Sequence, residues 1–439
     1  MGATASVLQL HVLSLPAVVS HRFELSTLVL GGLLVVGALL SGLERRTFVS
    51  LTAVFVLAGF VLGDGVTGVL RFDPRSAFVS ELATVALIVI LFRDGLEVEG
   101  EMLQAHWHLP FRKLVLAMPL TAVIIALGAR LLTGLSWAES FLLGALLSPT
   151  DPVLSSSVVT NPRVPRLVRH SLNLESGLND GLALPAVVAL AAALSAGNGH
   201  FVWWRFVLEN LLFGLVVGLV VGWLAARVIP RAARLEEGIP PHQRSLFALG
   251  TGFAAYGLAV LAPHGNGLIS VYVAAIALGV RRPDVRRYVA RQAAGMVEIV
   301  KLGIFVVFGS LLTLHGLLGD GWAAVGVVVV TLVVARPVAV FAALTGTGTD
   351  TATRAFMSWF GPKGVATMTF SILVLSEQVR AGAEIFNLAA LVVFCSILAH
   401  GVSDTAGSEW LADRAARADR AAAGAEAALA TAAHRLDAS

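Results

Sequence analysis

The sequence predicts an all-α polytopic membrane protein of about thirteen transmembrane helices, built as two inverted six-helix repeats whose fifth and twelfth helices are interrupted. Three observations carry this expectation. Of 439 residues, 57% are hydrophobic and 13% charged, with a mean hydropathy of +0.83, more apolar surface than a soluble core can bury. Apolar runs of bilayer-crossing length recur along most of the chain. Two of them are broken by proline and glycine clusters, at Ser148-Pro149-Thr150-Asp151-Pro152 and Gly361-Pro362-Lys363-Gly364.

A window of about 19 residues places the spans near 26–43, 48–63, 77–92, 112–134, 138–158, 173–195, 204–228, 246–262, 266–280, 296–315, 322–344, 354–376 and 385–403. The run from Leu28 to Leu43 reads as a retained anchor rather than a cleaved leader. Arginines concentrate in alternate loops, at Arg45 and Arg46, Arg163 to Arg169, Arg227 to Arg244, and Arg281 to Arg291, whereas the opposite loops carry little beyond Arg71, Arg75, Arg130, Arg205 and Arg380. The positive-inside rule then puts the N-terminus outside and the C-terminus in the cytosol of a plasma membrane protein. Residues 1–25 read as an extracytoplasmic segment and 26–405 as the transmembrane domain. Residues 406–439, rich in Ala, Arg, Asp and Glu, read as a short, solvated, partly helical cytosolic tail. A net charge of +3 gives no reason to expect a nucleic-acid partner, and the single Cys395 excludes an internal disulfide or a cysteine metal site.

The two breaks lie seven spans apart, each fifth in its half if the seventh span is a linker. Corresponding interruptions in two halves mark the binding site of a transporter. At the first, prolines on both sides of Asp151 remove backbone donors and free carbonyls at membrane depth, a way to hold a small ion. The sixth span carries Glu175, Ser176, Asn179 and Asp180, whose i, i+4 spacing groups four oxygen-bearing side chains on one broad face. Arg336 in the eleventh span needs a carboxylate partner, for which Glu175 is a candidate, or a wet cavity. Glu298 and Lys301, three apart near the cytosolic end of the tenth span, have the spacing to pair with each other or the reach to snorkel.

Ser148-Pro149-Thr150-Asp151-Pro152, Glu175 to Asp180, Ala335-Arg336-Pro337 and Gly361-Pro362-Lys363-Gly364, in that order, resemble the monovalent cation:proton antiporter 1 family, the sodium/proton exchangers, over residues of about 25 to 405. The resemblance implies that Thr150 and Asp151 lie in an unwound crossing, that Ser176 and Asp180 complete a Na+ site with them, and that Glu175 pairs with Arg336. It implies a homodimer, with no cofactor beyond the transported ions. Asn179-Asp180 resembles the Asn-Asp pair of exchangers regarded as electroneutral. Arg93 departs from the family, where several relatives have glutamate, which speaks against a third-span carboxylate in the site; Arg93 reads equally as a loop residue at the cytosolic edge.

If Lys363 offsets the carbonyl ends at the second break, Asp151 the amide ends at the first, and Arg336 the charge of Glu175, then Asp180 is the one unbalanced charge. A lone carboxylate takes one cation or one proton but not both, and a site open to each side in turn then exchanges them 1:1. The hard oxygen donors suit Na+ or Li+, and K+ is the alternative cargo because selectivity depends on cavity geometry. An ion channel is disfavoured by the titrating carboxylate, and an intramembrane enzyme by the absence of any catalytic motif.

Overall fold

The computed structural model describes residues 51–98, 108–151, 161–195, 202–229, 241–261, 265–292 and 294–437, with isolated positions elsewhere. The chain divides into two units, Met1–Thr47 and Phe48–Ser439. The expected span 26–43 belongs to the first and falls largely outside the described residues. The candidate site lies wholly within the second.

All regular structure among the described residues is helical. In chain order the helices are α1 (Leu51–Leu62), α2 (Ala77–Glu97), α3 (His108–Leu132), α4 (Trp137–Leu147), α5 (Arg166–Ser195), α6 (Phe213–Val228), α7 (Pro241–Leu261), α8 (Gly267–Arg281), α9 (Pro283–Gln292), α10 (Ala294–Ser310), α11 (Gly321–Ala343), α12 (Thr351–Trp359), α13 (Val365–Ser376) and α14 (Gly382–Asp437). Each expected span from 48–63 onward coincides with one of these helices or, at 354–376, with the pair α12 and α13. Six helices are long and apolar enough to cross a bilayer and four more are apolar but shorter, which does not establish the count of thirteen. The short amphipathic α9 falls in what the sequence marks only as an arginine-rich loop.

The span expected at 138–158 is the least like its prediction: α4 stops at Leu147 after 11 residues. It starts firmly, because Ser136 and Glu139 form a reciprocal capping box. It stops because Pro149 and Pro152 have no N–H to continue the ladder. A buried apolar core that includes Leu87, Leu142, Leu184, Val271, Phe370 and Val392 joins α2, α4, α5, α8, α13 and α14 around the breaks. The last helix runs through residue 405 without interruption. Beyond the membrane span its Leu411 is buried with Val164, Val168 and Phe360, so the first turns of the tail are docked rather than solvated.

Two π-helical stretches, Lys113–Ala117 in α3 and Val330–Ala335 in α11, are each followed two residues later by a proline, Pro119 and Pro337. The missing proline N–H leaves the helical ladder one bond short, and the wider turn absorbs the defect. Lys113 opens the first stretch and Arg336 directly follows the second.

Candidate functional site

At the first break the carbonyls of Ala145, Leu146, Ser148, Pro149 and Thr150 each find a side-chain donor. Ser148 Oγ donates to Ala145 O (3.1 Å), the acceptor that Pro149 cannot serve. Thr367 Oγ1 donates to Leu146 O (3.1 Å), and Lys363 Nζ donates to the carbonyls of Ser148 (3.3 Å) and Pro149 (3.1 Å). Thr150 O accepts from Asn179 Nδ2 at 2.9 Å, as does Thr150 Oγ1. Unwound backbone at this depth is tolerated only because its polar groups are met in this way.

The second break, residues 360–364, faces the first. Asp151 N–H donates to Pro362 O (2.8 Å), and Asp151 Oδ2 accepts from Val365 N (3.2 Å) at the start of α13. Compensation therefore runs crosswise: Lys363, from the second break, neutralises the carbonyl end of α4, and Asp151, from the first, caps the amide end of α13. This corrects the expectation that Lys363 and Asp151 each offset the helix ends of their own break. Gly364 is required by the approach, since a Cβ there would run into the Asp151 side chain, and one at Gly361 would meet the Arg336 guanidinium.

Asn179 and Asp180 reach the first break from α5. Both are buried, and Asn179 Oδ1 and Asp180 Oδ1 have no hydrogen-bond partner among the described residues. Ser176 lies one turn earlier on the same helix and is also buried. Pro185 supplies no N–H to the carbonyl of Gly181 four residues back, which loosens α5 beside the acid. Across from it, Tyr272 of α8 donates to Gly177 O (2.8 Å). Thr150, Asp151, Asn179 and Asp180 are thus brought to one place, with Ser176 on the adjoining turn.

The charges near Asp180 are more numerous than the sequence reading allows. Asp94 and Asp151 are its negative neighbours, and Arg93 and Lys301 its positive ones. Arg93 belongs to α2 rather than to a loop and grips Asp94 through Nε (2.8 Å) and Nη2 (2.6 Å), so a buried third-span carboxylate does stand beside the site. Lys301 is buried whereas Glu298 is exposed, and neither bonds the other, so the neutral pair that their spacing permits is not formed.

Glu175 has two cationic partners. Arg336 meets it with both arms, Nη1 to Oε1 at 2.8 Å and Nη2 to Oε2 at 3.2 Å, and also donates to Met357 O (3.3 Å). Lys113 forms a close ion pair with Glu175 Oε2 and donates to Ser171 Oγ (3.4 Å). Counting charges with Lys113 and Lys301 included, Asp180 is no longer the sole unbalanced group. Lys113 escapes a sequence reading: it looks like a flank of its span beside Arg112, and its partner is 62 positions away. The proline two residues beyond each of these two π-helical stretches is the signal that marks Lys113 and Arg336 together; a further such stretch, Val207–Leu212, has none.

Such an arrangement has one chemical capacity above others. Two buried oxygens without hydrogen-bond partners, one of them a carboxylate, stand beside an opened backbone, a set of hard donors that suits either a small cation or a proton. The model of the sodium/hydrogen exchanger transmembrane family matches residues 32–406. A K(+)/H(+) antiporter NhaP2 of Shewanella oneidensis is 27% identical over 387 residues, which is 87% of this chain and 66% of the relative. A K(+)/H(+) antiporter NhaP of Alkalimonas amylolytica is 26% identical over 89% of this chain and 67% of its own length. The chain thus spans about two thirds of the length of these relatives. Among solved structures, the sodium proton antiporter MjNhaP1 of Methanocaldococcus jannaschii superposes with a TM-score of 0.74 at 17% identity, covering 89% of this chain and 98% of that one.

Proposed function

We propose that this chain, which belongs to the sodium/hydrogen exchanger transmembrane family, exchanges a monovalent cation for a proton, one for one, at Asp180. The observation that carries the reading is the pair of buried, hydrogen-bond-orphaned oxygens, Asn179 Oδ1 and Asp180 Oδ1, beside the unwound Ser148 to Asp151 segment. A buried carboxylate oxygen left without a donor is costly unless a proton or a cation fills its place in turn. Thr150, Asp151, Ser176 and Asp180 are the proposed cation ligands. Asn179 holds Thr150 in place. Glu175, Arg336, Lys363 and Lys113 keep the surrounding charge balanced and the two breaks in register.

Na+ is the cargo we favour, since a tight set of oxygen donors between two packed breaks suits the smaller ion. K+ is the second reading, favoured by the names of the relatives that match most of the chain. Purified protein in proteoliposomes with an imposed pH gradient decides between them: addition of Na+, K+ or Li+ is followed by a pH dye, with and without a potential-collapsing ionophore. The reading expects cation-driven dissipation that the ionophore does not alter and that Asp180→Asn abolishes. Exchange at the wild-type rate by Asp180→Asn would refute it. A homodimer in the plasma membrane, N-terminus out and C-terminus in, completes the proposal and is open to cross-linking and site-directed labelling.

A further inference from the structure

Helix α14 touches both ends of the second break through one stripe of side chains. Ser396, His400, Ser403 and Gly407 recur at intervals of four, three and four, the spacing of a single helical face. Each meets the segment between α12 and α13. Ser396 Oγ accepts from Lys363 N–H (2.9 Å), the residue that enters α13. His400 Nε2 lies 2.8 Å from Trp359 O, the last residue of α12, and its ring stacks on the Trp359 indole at 5.2 Å. Ser403 Oγ accepts from Trp359 Nε1 (2.8 Å), and Gly407 leaves room for the Phe360 ring.

Two polar neighbours face His400 Nδ1, Ser396 Oγ at 3.2 Å and Ser396 O at 2.7 Å. With the ring neutral, Ser396 donates to Nδ1 and Nε2–H donates to Trp359. With the ring doubly protonated, Nδ1–H turns to Ser396 O and Nε2–H still donates to Trp359. With Nε2–H as the assigned neutral tautomer, the bond to the end of α12 is common to both forms; only the Nδ1–H tautomer, donating to Ser396 O, would lose it. Ser396 and His400, both buried, close a bridge from Trp359 across to Lys363. Between those anchors hang Phe360, Gly361 and Pro362, with Gly364 and Val365 just beyond; the Pro362 carbonyl and the Val365 amide hold Asp151.

We infer that Ser396 and His400 are positioning residues that set cation affinity by fixing the span of the second break, and hence the place of Asp151 and Lys363 against the first. The inference rests on the reading of the crossing as the cation site. Neither side chain touches the proposed ligands, and each acts through the backbone it holds.

The test is a series of His400→Phe, His400→Gln, Ser396→Ala and Ser396→Thr in proteoliposomes, with Asp180→Asn alongside. Exchange rate is measured against concentration of whichever of Na+ and K+ drives the wild type faster. His400→Phe keeps the ring without a donor, and Ser396→Ala strands the Lys363 amide. Each is expected to raise the apparent KM about fivefold, the loss of about one hydrogen bond, with the maximal rate little changed. His400→Gln, which can still donate to Trp359, and Ser396→Thr, which keeps the hydroxyl, should return KM to within about a factor of two of wild type. Wild-type KM in Phe and Ala, or a Gln variant as impaired as Phe, overturns the inference while leaving the site reading intact if Asp180→Asn is inactive. An active Asp180→Asn protein overturns the site reading and the inference with it. Should His400→Phe fail to fold, the contrast of Ser396→Ala with Ser396→Thr decides alone.

Discussion

Replacing Arg336 by alanine removes two contacts to Glu175 and one to the Met357 carbonyl, yet Glu175 keeps Lys113. The single substitution should therefore cost less than a stranded buried charge, about 2–3 kcal/mol, the range of hydrogen bonds to charged groups offset in part by desolvation no longer incurred. Lys113→Ala should cost about as much, because Arg336 then remains. The double substitution leaves Glu175 buried with no cation, and breaking a buried pair from one side costs about 3–5 kcal/mol. Made second, either removal therefore costs about 3–5 kcal/mol in place of about 2–3, so the two changes should be non-additive by about 1–2 kcal/mol. Adding Glu175→Gln to the double variant removes the stranded charge and should recover about 3 kcal/mol. Equilibrium unfolding in detergent micelles, followed by tryptophan fluorescence, measures all four. Additivity within about 0.5 kcal/mol, or a triple variant no more stable than the double, would refute the view that two cations share one carboxylate.

Lys363→Met leaves the carbonyls of Ser148 and Pro149 without their donor and should lower stability by about 2–4 kcal/mol, and Lys363→Arg should not rescue it, because the guanidinium is too large for a site that is 1% exposed; the same unfolding assay checks both. Gly364→Ala drives a methyl into Asp151, so the apparent KM for the cation should rise while Gly→Ala elsewhere in exposed loops leaves it unchanged. At the start of α12, hydrogen bonding from Thr353, and then from Arg414, holds the Asp350 carboxyl below its usual range. A depressed folded-state pKa gives stability that is present above about pH 4 and lost as the pH falls through the folded value. Hydrogen exchange around Arg414 in α14 should then quicken on acidification below that point, and Asp350→Asn should make it insensitive to pH over the same range.

Much of the fold is legible in the sequence because the bilayer imposes it. Apolar runs of the right length and the prolines and glycines at residues 148–152 and 361–364 report local chain properties, and the helices and both breaks fall where those residues put them. The neighbourhood of Glu175 and Arg336 is half legible, since an intramembrane arginine demands a carboxylate. Lys113 is not legible, because a lysine at the edge of an apolar run reads as a flank until the fold carries it to α5. The crosswise exchange between Lys363 and Asp151 is invisible for the same reason: it depends on two breaks crossing, which no local pattern encodes. Glu298 and Lys301 mislead in the opposite direction, being close in sequence but turned to different surroundings. Asp94 is overshadowed by its neighbour Arg93, whose unusual identity draws the eye while the buried acid beside it joins the site.

The central claim is that cation and proton compete for one carboxylate, and the pH dependence of the apparent cation KM tests it most directly. In proteoliposomes with pH set equal on both sides and isotopic cation exchange as the readout, KM should climb toward about tenfold per unit of acidification while the maximal rate holds steady. A maximal rate that falls on acidification at constant KM would mean that the proton acts elsewhere, and would contradict a shared site at Asp180.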